Sequence, residues 1–353
     1  MLLRPEKIAV GALLVNAAVA SAGTYELPPE GIDVVGDIQI VTAAYEDTLI
    51  DIARRHGVGY EEIVRANPDV RIWVPGEGTQ VTVPSRFVLP AVPREGVVLN
   101  LAEYRLYYFP QPEGDEPAVV MTYPISIGRQ DWETPLGVTN VVSKVTNPTW
   151  YPPQSVRDEH AADGRPLGRI VPPGPDNPLG KHAMRLGLPG YLIHGTNRPA
   201  GVGMRVTHGC VRMFPEDIRY LFDFIGIDTP VRIINEPVKI GWHGEELVME
   251  VHPILEKGAV ETTDEPVRED EDANADIDSS VMAQEDAGDD GPDPAGPEKD
   301  ALTYVTEQFV LATNERDGQL DWLLVEEIVR RADGMPAAVG KSIKNAAASA
   351  ASD

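Results

Sequence analysis

What this sequence holds least of is cysteine: one thiol, Cys210, among 353 residues. An intramolecular disulfide is therefore excluded, and no cysteine cluster is available to a structural metal. Long apolar runs are lacking as well. The one such stretch, Ile8 to Ala20, falls short of the ~20 residues that a membrane-spanning helix needs. Basic residues are also scarce, 30 Lys and Arg against 56 Asp and Glu, for a net charge of −26. No basic stripe interrupts that balance, which argues against a nucleic-acid partner.

What is present begins with an export signal. Arg4 and Lys7 precede the apolar stretch and Ala20-Ser21-Ala22 follows it, the plan of a secretory signal over residues 1–22 with an A-x-A cleavage site. The next residue is Gly23 rather than Cys, so a lipid-anchored start is not suggested. Export carries the lone thiol into oxidising surroundings, which is a hazard unless the thiol does something. Cys210 is then either a buried small hydrophobe or a nucleophile.

The acidity is not evenly spread. Sixteen acidic residues against two basic ones lie between Glu261 and Asp300, a segment poor in large apolar residues. Residues 256–300 read as a disordered acidic linker. Beyond it, 301–335 is amphipathic enough for one or two helices, and 336–353 reads as a low-complexity mobile tail.

Upstream, residues 39–84 form a compact unit. A short strand (Gln39 to Ala43) leads to a helix with apolar Leu49, Ile50, Ile52 and Ala53, stopped at Gly57. A second helix runs from Tyr60 to Ala66, and a strand carrying Val81 and Val83 closes the unit. This strand-helix-helix-strand order resembles a LysM module, which implies binding of N-acetylglucosamine-containing glycan strands; a small helical adaptor is the alternative. From Gly96 to His252 the pattern turns to β, with Val-, Ile- and Tyr-rich runs between Gly and Pro signals. One helix stands out, starting at Pro215 with Glu216 and Asp217 in its first turn and Ile218, Leu221, Phe222 and Ile225 on one side. The fold class expected is multidomain, with a mainly β domain over 96–252 and a helix packed on it.

Chemistry concentrates in "YLIHGTNRPAGVGMRVTHGCVRM", Tyr191 to Met213. A thiol of ordinary pKa is only ~3% thiolate at pH 7, so a catalytic cysteine needs a base or a positive field beside it. His194 ends an apolar strand and His208 lies two residues before Cys210; both are available. Gly195, Gly201, Gly203 and Gly209 permit the chain between to fold back. Amides around Gly209, Cys210 and Val211 offer an oxyanion hole.

H-G-T, a glycine-containing loop and then T-H-G-C-V-R is similar to the active-site signature of the L,D-transpeptidases with a YkuD-type catalytic domain, ErfK/YbiS group. The resemblance extends over 96–252 through "NLAEYRLYYF", "ETPLGV", "NPTWYPP" and "PPGPDNPLG". It implies a β-sandwich domain in which Cys210 is the nucleophile, His194 the base, and the Gly195 carbonyl the orienter of the imidazole. His208 takes a supporting place. Thr207, Gly209, Val211 and Arg212 line the substrate or oxyanion side, Arg212 fixing the nucleophile loop, meeting a substrate carboxylate or serving only an internal salt bridge. Trp150 and Tyr151 are candidates for a substrate groove. The resemblance further implies no cofactor and no metal, a periplasmic setting, and peptidoglycan as partner through glycan and stem peptides. The acceptor is an amine of a second stem peptide or of an outer-membrane lipoprotein. Water as acceptor, giving an L,D-carboxypeptidase, and an inactive wall-binding anchor are the other readings.

Overall fold

The computed structural model describes residues 23–112, 114–130, 132–255, 281–283 and 299–343. The signal-peptide reading over 1–22, most of the acidic linker and the end of the tail lie outside the described residues.

The chain enters through β1 (Thr24–Glu26) and β2 (Val34–Gly36), then β3 (Gln39–Thr42), α1 (Leu49–Arg55), α2 (Tyr60–Ala66), β4 (Gln80–Val83) and β5 (Arg86–Val88). Thr48 caps α1 in a reciprocal box with Asp51: Asp51 N donates to Thr48 Oγ1 and Thr48 N to Asp51 Oδ2. The pair β3–β4 is antiparallel, and Leu49, Ile52, Ile63, Val81 and Val83 form a small core of their own beneath the helices.

The central domain follows with β6 (Gly96–Asn100), β7 (Arg105–Phe109), β8 (Val119–Gly128), β9 (Gly137–Thr146), β10 (Thr149–Tyr151), α3 (Gln154–Ala162), β11 (His182–Leu186), β12 (Leu192–His194), β13 (Arg205–Thr207), β14 (Val211–Met213), α4 (Pro215–Phe224) and β15 (Pro230–Ile234). The sheet order β8-β14-β12-β11-β9-β15-β6-β7 returns to β8, because β7 also pairs with it. The mainly β architecture expected is present, and the expected sandwich is realised as one sheet closed on itself. Alternation sorts the side chains. Val97, Leu99, Leu106 and Tyr108 point into the central core, whereas Val98, Tyr107 and Phe109 pack outward against Val35, Phe87 and Leu89. Both faces are buried, so β6 and β7 read as continuous apolar runs.

The remainder is β16 (Val238–His243), β17 (Glu246–Val251), β18 (Val281–Ala283), α5 (Ala301–Ala312), β19 (Gly318–Leu320), α6 (Trp322–Arg331) and β20 (Ala337–Ser342). Two sequence expectations are corrected in this part. First, β16 and β17 do not belong to the central sheet; they form a separate one, β16-β17-β20-β19, with Val305, Val325 and Ile328 of α5 and α6 packed on it. Their alternation is the same in either sheet, so it could not tell where they pair. Second, 336–353 is not uniformly a tail. Ala337–Ser342 is an inner strand whose small residues fit a crowded place: a Cβ on Gly340 would lie 2.1 Å from the Gln319 carbonyl oxygen. Within the linker read as disordered, Val281–Ala283 pairs in parallel with β10.

Candidate active site

The sixteen-residue spacing between His194 and Cys210 has a topological origin. Strands β12 and β14 are parallel neighbours, with His194 opposite Arg212 and Ile193 opposite Val211. Parallel neighbours cannot be joined by a tight turn, so Gly195 to Gly209 forms the crossover. It carries a 3₁₀ turn at Pro199–Gly201 and then β13, which pairs with the end of β8. At the close of the crossover the chain must turn sharply into Cys210. Gly209 does this with φ +92°, and a Cβ there would meet the Tyr191 ring at 2.9 Å.

Thr207 and Thr134 hold this turn. Thr207 Oγ1 donates to the Cys210 carbonyl at 2.6 Å, and Thr134 Oγ1 donates to the Gly209 carbonyl at 2.7 Å while accepting from Gly128 N. Thr207 is therefore committed to the turn itself rather than to a ligand. Thr134 is a functional neighbour that the sequence reading passed over, although it lies within the quoted "ETPLGV".

Cys210 is buried and packs with Trp150, Val156, Leu179, Ala183 and Leu192. Its Sγ faces the Gly190 carbonyl at 3.6 Å. Burial pushes the thiol up to about 12, against a smaller lowering from the Leu192 backbone and the Arg212 charge. His194 is equally enclosed. Burial and then the Arg212 charge hold its imidazole down at about 3, against the Gly195 carbonyl, which favours the cation. That carbonyl lies 2.6 Å from Nδ1. A carbonyl only accepts, so Nδ1 carries the proton and Nε2 keeps its lone pair. The resting site is thus a neutral thiol and a neutral imidazole of defined tautomer.

His208 sits in a different setting. Its Nε2 lies 2.9 Å from Glu159 Oε2, and its ring meets Trp132 edge-on at 5.1 Å. Glu159 also accepts from Arg129 at 2.7 Å, and Arg129 first and His208 second hold its carboxyl down at about 2. Glu159 belongs to α3, which no sequence signal announced: only Val156 of its nine residues is buried. Trp150 lines the thiol's apolar surroundings, while Tyr151 is only partly covered. Val211 is buried in β14. Among the described residues Arg212 makes no ion pair, and its Nε is buried without a partner. Among the described residues its guanidinium is thus uncommitted beside the thiol.

One other group of metal-ligating types exists among the described residues: Glu103, Glu250 and His252, with ligand atoms within 4.8 Å of one another. Lys239 Nζ already lies between the carboxylates, 2.5 Å from Glu103 and 2.9 Å from Glu250. The ammonium supplies the cation there, and the group is an ion-pair network.

Residues 94–233 match the L,D-transpeptidase catalytic domain, YkuD. Over 249 residues the chain is 43% identical to the probable L,D-transpeptidase YcfS of Escherichia coli K12, covering 68% of this chain and 76% of that one. It is 43% identical to the probable L,D-transpeptidase ErfK/SrfK of the same strain, over 65% and 73% of the two chains. To the probable L,D-transpeptidase YbiS it is 42% identical, over 63% and 72%. With a catalytic-domain match spanning the strands that carry His194 and Cys210, identity at this level over most of both chains shows that the chain belongs to the L,D-transpeptidase family of enzymes.

Proposed function

We propose that Cys210 and His194 catalyse acyl transfer from a peptidoglycan stem tetrapeptide through a thioester. His194 Nε2 takes the thiol proton as Sγ attacks the carbonyl of the third stem residue. Amides around Gly209, Cys210 and Val211 receive the oxyanion. The C–N bond to the terminal D-alanine then breaks, the imidazolium returns its proton to the leaving amine, and the thioester remains. An acceptor amine attacks the thioester and loses a proton to His194, forming a new amide and freeing Cys210. The product is a 3→3 crosslink or a protein attached to the wall. Arg212, with no carboxylate partner among the described residues, is suited to a substrate carboxylate, and Trp150 to the wall of the cleft.

The observation that carries this reading is the register of His194 against Arg212, with Nδ1 tied to the Gly195 carbonyl. The register sets His194 on the strand next to the thiol's, and the Nδ1 contact leaves Nε2 as the basic nitrogen. The apolar enclosure of Cys210 by Trp150, Val156, Leu179 and Leu192 favours an amine acceptor over water. Residues 39–84 hold the glycan strand in this scheme, with exposed Tyr45 and Trp73 in the loops flanking the two helices, and the enzyme works in the periplasm after export.

Mass spectrometry after incubation with a carbapenem tests the mechanism. One covalent adduct on Cys210 is expected, with none in Cys210→Ala. A folded wild-type protein that stays unmodified would overturn it.

A further inference from the structure

The N-terminal strand-helix-helix-strand unit does not hang from the enzyme as a tethered module. Ser85 Oγ donates to the Asp37 carbonyl, which ties its entry and exit together. Its second helix ends against the crossover that links base to nucleophile. The first two amides of α2, Tyr60 N and Glu61 N, donate to the Val202 and Gly203 carbonyls at 3.0 and 3.2 Å. Helix amides at this end lack partners within the helix, so here the crossover supplies them. The approach is close enough to require glycine on both sides. A Cβ on Gly59 would lie 2.7 Å from Gly203 Cα, and one on Gly203 would lie 2.3 Å from Tyr60 N.

One buried ion pair fixes α2 in this pose. Glu62 Oε2 accepts from Gly59 N at 2.5 Å, and Glu62 Oε1 accepts from Arg105 Nε and Nη2 at 2.9 and 2.7 Å. Arg105 belongs to β7 of the central sheet, is 1% exposed, and also donates to Thr122 and the Gly57 carbonyl. The opposite side of the crossover is pinned to β8: Ser126 Oγ donates to the Gly201 carbonyl at 2.7 Å and Ile127 N to the Met204 carbonyl at 3.2 Å. The crossover is therefore clamped between β8 and α2, and Gly195 and Gly209 at its two ends abut His194 and Cys210.

We propose that the N-terminal unit is a positioning element for catalysis, in which α2, locked by Glu62 and Arg105, sets the crossover that aligns His194 with Cys210. This rests on the reading of those two residues as base and nucleophile. It assigns the unit a role in the chemical step that is independent of any glycan it holds. It also fixes the place of a bound glycan relative to the thiol.

Gly59→Ala is the direct probe. Gly59 has φ −88°, so alanine is tolerated by the backbone there, and the added methyl pushes α2 off Gly203 without touching the thiol. A misplacement of ~1 Å costs about a hundredfold in a positioned reaction. Acylation of Cys210 by a carbapenem, followed by mass spectrometry, should fall at least tenfold in its saturating rate. The half-saturating concentration should stay within twofold. Arg54→Gln, which removes an exposed tie between the same bodies, Arg54 to Glu216 at 2.6 Å, should leave both constants unchanged. A wild-type saturating rate in folded Gly59→Ala sinks the proposal. Absence of acylation in the wild type sinks the catalytic reading instead.

Should Gly59→Ala not fold, the unaltered protein gives the second measurement. The Tyr60 and Glu61 amides donate to the crossover carbonyls, so an acyl group on Cys210 that shifts the crossover is expected to change their hydrogen-exchange protection by threefold or more. Equal protection before and after acylation overturns the proposal.

Discussion

His208 and Glu159 form the contact in this site whose strength a titration reads most directly. Burial lowers the His208 pKa, while the hydrogen bond and charge of Glu159 raise it. Glu159→Gln keeps an acceptor at that place but removes the charge, so the two raising contributions weaken while burial persists. The His208 midpoint, followed by NMR of its ring proton, is expected to move down. An unchanged midpoint would mean that the pair does not persist in solution. The proposed base behaves differently. With its pKa held down at about 3, His194 is neutral in the resting site, and it takes the thiol proton only as the thiolate forming beside it favours the imidazolium. The division between a histidine buried in dry surroundings and one hydrogen-bonded to a carboxylate separates two residues of one motif by environment alone.

At the scale of elements, helix α4 carries an unusual first turn. Pro215 starts it and Glu216 and Asp217 follow, as expected of acidic residues near a helix N-terminus. Glu216 is satisfied by Arg54. Asp217 is buried, its Oδ2 has no partner, and burial first and Glu216 second raise its pKa to about 7, against Arg105 and Arg54. A carboxyl whose folded pKa lies above its unfolded value of 3.8 binds more protons in the native state between those limits. Its contribution is present below pH 3.8 and is lost as pH rises through about 7. Asp217→Asn cannot ionise, so it should stabilise the protein at pH 8 by a few kcal/mol, on the order implied by such a shift. The difference from wild type should vanish near pH 4 in denaturant titrations.

The same scale explains what the sequence discloses. The proposed base and nucleophile and their spacing are legible because a parallel strand pair needs a long crossover and a reactive thiol needs a base. The helices α1, α2 and α4 are legible from capping residues and apolar spacing. Helix α3 is not, since "QSVRDEHAA" presents one apolar residue to the core, and with it Glu159 escapes notice. Strand β20, "AAVGKS", looks like the low-complexity stretch around it because a crowded inner strand and a mobile tail both favour small residues. No local pattern distinguishes them; only the partner strands do.

For the molecule as a whole, one strand face gathers the parts. Arg105 and Tyr107 alternate onto the same side of β7. Arg105 holds the N-terminal unit through Glu62, and Tyr107 donates to Glu103 and accepts from Lys239 of the C-terminal sheet. Lys239 in turn bridges Glu103 and Glu250, and Glu250 accepts from Val88 N and pairs with His252 at 2.7 Å. Every member of this network is buried, so its charges have no water to fall back on. Removing the ammonium leaves two carboxylates facing each other in the interior. Lys239→Met should therefore destabilise the protein at pH 7.5 by about 3–5 kcal/mol, the usual cost of breaking a buried pair from one side. Burial already raises the Glu103 pKa despite Lys239, and Lys239 is the main charge opposing that rise. Without Lys239, Glu103 protonates more readily still, and protonation relieves the repulsion. The penalty measured by denaturant titration should then shrink at pH 5. A penalty equal at both pH values would mean that the cost of losing Lys239 comes from its packing and not from repulsion between Glu103 and Glu250.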